Sequence, residues 1–158
     1  EYDKNKKDTS IHKAYYWSLE SNYTKINSLK EFTYLSKEGY GVSGLKFLKN
    51  GDLLVLERYY KKKFGSVAEN YEIDIKYVKK QEIESAIEVE NAQVKGKSII
   101  HIDNESISGK YGYADNFESI AVKEGNNSTS IYILTDDNRA PFERSVLLEF
   151  EIINNDFD

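Results

Sequence analysis

The stretch Val42-Ser43-Gly44-Leu45-Lys46-Phe47-Leu48-Lys49-Asn50-Gly51-Asp52-Leu53-Leu54-Val55-Leu56-Glu57-Arg58 decides the fold. Glycines punctuate its entry, Leu45 to Leu48 forms a first apolar run, and Asn50-Gly51 follows. Asn-Gly is a strong hairpin signal, because both central residues of a type I′ turn need positive φ. Leu53 to Leu56 then reads as a buried strand that ends in charge at Glu57 and Arg58. The arrangement recurs downstream, where Glu118-Ser119-Ile120-Ala121 leads through Gly125-Asn126 to Tyr132-Ile133-Leu134-Thr135-Asp136. Each copy is an inner strand, a turn and an apolar strand, so Glu57 and Asp136 are expected to end equivalent strands. A repeated hairpin of short strands points to propeller blades or a similar β repeat.

Further strands flank these hairpins. Ala14 to Leu19 is an aromatic strand candidate, and Glu31 to Leu35 a shorter one. Tyr71, Ile73, Ile75 and Tyr77 alternate with polar residues at a period of two. Ser98 to Asp103, Phe117 to Val122, Ser130 to Thr135 and Val146 to Ile153 complete the set. Pro141, the lone proline, falls in a loop, where it removes no ladder bond. Between Lys80 and Gln93 the signal is mixed. Ile83, Ser85, Ile87 and Val89 alternate as in a strand, while Ile83 and Ile87 lie four apart among good helix formers. A strand or loop is the expectation there. Residues 1–13 read as a flexible N-terminal segment, and residues 14–158 as one all-β, antiparallel unit of about three blades, a partial propeller.

Composition supports strands and excludes several functions. Aromatics make up 13% of the chain, with 13 Tyr and 7 Phe, and such residues suit a pleated, half-buried surface. The net charge is −5, and the densest basic run is Lys61-Lys62-Lys63, so no basic face exists to neutralise nucleic-acid phosphates. No apolar run approaches the ~20 residues of a membrane span. With no Cys, disulfides, thiolate nucleophiles and zinc ribbons are excluded. There is also no Met, so a chain beginning at Glu1 reads as a processed product, a cleaved fragment or a trimmed chain.

Three short motifs carry a family resemblance. Leu54-Val55-Leu56-Glu57-Arg58 resembles the LLVLER element of the phytase-like family, also called esterase-like activity of phytase. Asp115-Asn116-Phe117-Glu118-Ser119-Ile120-Ala121 resembles its DNFEGIA element, with Ser119 where Gly is usual. Thr135-Asp136-Asp137-Asn138 resembles its SDDN element, with Thr135 in place of Ser. Their order matches as well, and the resemblance spans Val42 to Ile153, to which the first forty residues add nothing. It implies a multi-bladed propeller of which this chain carries the C-terminal part only. It also implies export to the periplasm or the extracellular space in a bacterial setting, and hydrolysis of a phosphoester. Fold and family name are analogies, however, and function must be argued from the site.

Glu57, Arg58 and Glu118 are the candidates for catalysis. Glu118, Asp136, Asp137, Asn138 and Asn116 are the candidates for a Ca²⁺ site, because clustered carboxylate and amide oxygens suit a hard cation with six to eight ligands. A Ca²⁺ so held would polarise a phosphoryl oxygen and orient water. Arg58 offers a planar fork for a phosphate or carboxylate. The structural alternative pairs Arg58 with Glu118 or Asp136 between blades and leaves Asp136 and Asn138 as turn caps. His12 and His101 lie near no serine nucleophile elbow, and His101 is expected to face away from Ile100 and Ile102. The expected function is a binder of a phosphorylated or otherwise anionic small molecule, or a Ca²⁺-dependent phosphoesterase. The alternative is a non-catalytic binding or scaffold module. Unfilled end blades imply a homo-oligomer or association with the missing N-terminal blades.

Overall fold

Alternation along β5 (Glu69–Val78) sends Ile73 and Ile75 to one face and Asp74 and Lys76 to the other, and all four are buried. A strand covered on both faces belongs to the middle of a stack. The computed structural model, which describes residues 10–19, 26–62, 69–103, 116–136, 145–153 and 156–157, puts it there. The central sheet runs in the order β3 (Gly41–Phe47), β4 (Leu53–Lys62), β5, β7 (Lys97–Ile102), with every neighbour antiparallel. A second sheet is the antiparallel series β8 (Phe117–Glu124), β9 (Ser128–Thr135), β10 (Leu147–Ile153). A third joins β1 (Ile11–Leu19) to β2 (Ile26–Leu35) and adds β6 (Gln93–Val94), which lies parallel to β2.

Two cores hold the stack together. Leu54, Leu56, Ile73, Ile75 and Ile102 of the central sheet meet Phe117, Ile131 and Ile133 of the β8–β10 sheet. Leu53, Val55 and Val78, on the reverse face, meet Phe32, Tyr34 and Val94, together with Ile83 and Ala86 of α1 (Lys80–Ile87). Full burial of each such side chain contributes about 1.5–3 kcal/mol. The fold is therefore all-β and antiparallel, with propeller-like stacked sheets. The repeated hairpins are β3–β4 and β8–β9, and each carries a bulge near its start, between Val42 and Gly44 and between Phe117 and Ser119.

Four local expectations change. The Lys80–Gln93 stretch, read as a strand or loop, contains the helix α1. Ile83 and Ala86, three apart, form its buried face, and the Asp52 carboxylate accepts the Lys80 N–H at 2.7 Å to cap its start. The β3–β4 turn is not type I′. Gly51 has φ +92, Asn50 is outside the positive-φ region, and the Gly51 N–H donates to the Leu48 carbonyl at 3.0 Å. That is a type I turn closed by a left-handed glycine, and the Asn50 side chain accepts the Asp52 N–H at 3.0 Å. β1 begins at Ile11, inside the segment read as flexible, and His12 bonds to the Ser36 hydroxyl at 2.9 Å. β2 is a full ten residues long, because pairing with β1 extends it back to Ile26.

Candidate functional site

Pairing register decides which motif residues meet. Val42 opposes Glu57 just before the first bulge, and Phe117 opposes Thr135 just before the second. Glu57 therefore corresponds to Thr135, and it is Arg58 that corresponds to Asp136. Aligning Glu57 with Asp136 rests on reading both as the ends of their strands. Glu57 also does not end its strand: it is the fifth residue of β4. Arg58, its neighbour, projects from the opposite face, toward the β8–β10 sheet.

Arg58 and Glu118 join there. The Arg58 Nη1 donates to Glu118 Oε1 at 3.3 Å, with the two side chains 27% and 42% exposed. Glu118 occupies the bulge of β8, which turns it to the rim. The Asn116 amide donates to the same Oε1 at 2.7 Å, and the Asp136 N–H donates to the Asn116 carbonyl at 3.0 Å. Gly44 lets β3 and β8 approach, since a Cβ there would lie 3.0 Å from the Ile120 Cγ2. Arg58, Glu118, Asn116 and Asp136 thus share one corner between two sheets, while Asp137 and Asn138 lie outside the described residues.

Glu57 serves a different place. It is fully buried, and its carboxylate accepts the Tyr34 hydroxyl at 2.7 Å and the Lys37 N–H at 3.0 Å. Burial, reinforced by Glu57, pushes the Tyr34 hydroxyl far above the ordinary tyrosine range. Asp74 stands opposite Glu57 in the register, paired with the Lys76 ammonium at 3.0 Å and with the Ser98 hydroxyl. His101 approaches the same carboxylate at 3.7 Å from the face opposite its isoleucine neighbours, as the strand alternation requires. Tyr40 donates to Glu72, and burial first, then Glu72, raises its ionisation well above the ordinary range. The sequence did not reveal this buried polar layer. Its one signal was that successive polar positions of β5 hold two acids and then a base, Glu72, Asp74 and Lys76.

Calcium asks for six to eight oxygens. Among the described residues, no three of His, Cys, Asp and Glu come close enough to hold a metal ion. Glu118 faces a guanidinium and an amide N–H instead, so the described corner alone does not make a calcium site. What it makes is a tethered cation: a guanidinium held by one carboxylate at a partly open rim. A cavity of about 340 Å³ lies elsewhere, at the turns, lined by Leu48, Asn50, Tyr77, Glu124, Thr129 and Phe157, and it includes none of the motif residues.

Comparison with known proteins adds the family. The model described as Phytase-like: Esterase-like activity of phytase matches residues 2–139. The match takes in the first forty residues, which the motifs did not reach, and stops before β10. No curated protein and no solved structure matches.

Proposed function

This chain belongs to the phytase-like family, and from that premise we propose that it binds a phosphorylated or otherwise anionic small molecule at the Arg58 corner. The observation that carries the reading is the Arg58–Glu118 contact of 3.3 Å at a partly exposed rim. One donor of a five-donor fork is engaged by Glu118, and the fork suits a phosphoryl group bidentately. Glu57, by contrast, serves packing: it is fully buried, and its oxygens are taken by the Tyr34 hydroxyl and the Lys37 N–H. Binding without turnover is therefore the expected behaviour of Arg58, Glu118 and Asn116 acting together.

Calorimetric titration with inorganic phosphate and with an aryl phosphomonoester tests the reading. Heat of binding should be present in the native chain and lost in Arg58→Ala, while Glu118→Gln should tighten binding by removing a competing anion. Absence of binding would favour the scaffold reading instead. A second reading, Ca²⁺-dependent phosphoester hydrolysis, draws support from Asp136 beside Asn116 and from the neighbouring Asp137 and Asn138 in the sequence. Release of the aryl alcohol only when Ca²⁺ is added, and its loss in Asp136→Asn, would establish that reading over simple binding.

A further inference from the structure

The repeat that aligns the two hairpins extends one strand further. β10 pairs with β9 as β5 pairs with β4, and beyond β5 the central sheet carries β7. Among the described residues, no strand takes the corresponding place beyond β10. The inward residues Leu148, Phe150 and Ile152 are only half-buried against the core, and so are Ile99 and Ile100 of β7. Between them alternate Glu149 and Glu151 on the outward face, bracketed by Leu147 and Ile153, which are 62% and 67% exposed. A strand edge with its own backbone donors and acceptors is a template for another strand.

We propose that the outer edge of β10 docks an extended segment of a partner protein in which apolar and basic residues alternate. Apolar side chains of such a segment would complete the cover over Phe150 and Ile152. Its Lys or Arg side chains would fall on the other face, opposite Glu149 and Glu151, where cross-strand pairs of opposite charge are favourable. Charge also argues against a second copy of this chain. Antiparallel pairing of β10 with itself about Phe150 would set Glu149 directly against Glu151, and like charges so placed repel. Tyr132 already bonds Glu149 at 2.8 Å, which holds that carboxylate on the outward face. The inference uses none of the Arg58 corner and stands whether or not phosphate binds there.

Fluorescence anisotropy on the full chain tests it, with three labelled nine-residue acetylated peptides. One alternates Val with Lys, one alternates Val with Glu, and the third is the Val/Lys peptide with its backbone N-methylated at alternate residues. The Val/Lys peptide should bind, the Val/Glu peptide should bind at least about tenfold more weakly, and N-methylation should abolish binding because it removes the ladder donors. In the variant Glu149→Lys with Glu151→Lys, whose changes are exposed, the preference between the first two peptides should invert. Equal binding of the N-methylated peptide would reduce the effect to general attraction by an acidic protein and overturn the proposal. So would failure of every peptide to bind, or an unchanged preference in the variant. Light scattering that shows mass rising with concentration would overturn it in favour of a second copy.

Discussion

The two faces of the central sheet are built from different chemistry. Toward the β8–β10 sheet, Leu54, Leu56, Ile73 and Ile75 meet Phe117, Ile131 and Ile133 with no buried charge between them among the described residues, and the Arg58–Glu118 pair sits at the rim. Toward the β1–β2 sheet, the same strands present Glu57, Asp74 and Lys76, and Tyr34 reaches across to bond one of them. Burial of apolar surface is non-directional, so the first interface tolerates small slips. A buried carboxylate that must find one hydroxyl and one N–H tolerates none. One face supplies cohesion, and the other fixes where the sheets sit relative to each other.

The aliphatic face should be the more sensitive to truncation. Ile133→Ala should cost about 2–5 kcal/mol in urea unfolding, through lost transfer energy plus a cavity that the stack cannot fully close. A cost below about 1 kcal/mol would mean that this interface does not carry the cohesion assigned to it. The polar face is sharper but smaller in effect. Tyr34→Phe should cost about 1–3 kcal/mol, because it leaves the buried Glu57 with one donor fewer. A double-mutant cycle with Glu57→Gln should return a coupling of about 0.5–3 kcal/mol, and additivity would show that the two groups do not cooperate.

Alkaline pH probes the same face selectively. The Tyr34 ionisation is raised in the folded state above its unfolded value of 10.0, so the unfolded chain loses that proton first. Its contribution is thus complete below pH 10 and is lost as pH rises above it. The melting temperature should fall above pH 10, and the fall should be shallower in Tyr34→Phe; an identical slope would place the sensitivity elsewhere. The smallest effect belongs to the rim. Arg58→Ala should change stability by roughly 0.2–1 kcal/mol, since an exposed pair gains little and salt screens it. A larger loss would turn the Arg58 corner from a binding site into a structural clamp.

Much of the fold was legible because hairpins announce themselves locally. Asn50-Gly51 and Gly125-Asn126 bracketed runs whose alternation could be read without knowing what packs on them. The helix α1 escaped because Ile83 and Ile87 fit both periods, and what settles it is distant: Asp52, far back in the sequence, caps its first N–H. An ion pair of Arg58 with Glu118 or Asp136 was legible as the structural alternative to a shared metal, and it is Glu118 that Arg58 meets. The position of Glu57 was not, because alternation assigns a residue to a face but cannot say that a third sheet covers it. That sheet rests on β2, whose full length came from pairing and not from its own composition.

The short parallel contact of β6 with β2 has a consequence in time. Thr33 meets Gln93 only after the chain has run through the whole β3–β4–β5 meander and the α1 turn. Hairpins close early because their loops are short, whereas a contact so distant in sequence must wait for the entropy of a long loop to be offset. The central and β8–β10 hairpins should therefore form in the fast phase of refolding. Locking of the first sheet by Val94 and Ala92 should follow in a slower one. If that clasp closes last, the hydroxyl of Tyr34 and the carboxylate of Glu57 should stay hydrated until it does, and their bond should be among the last to form.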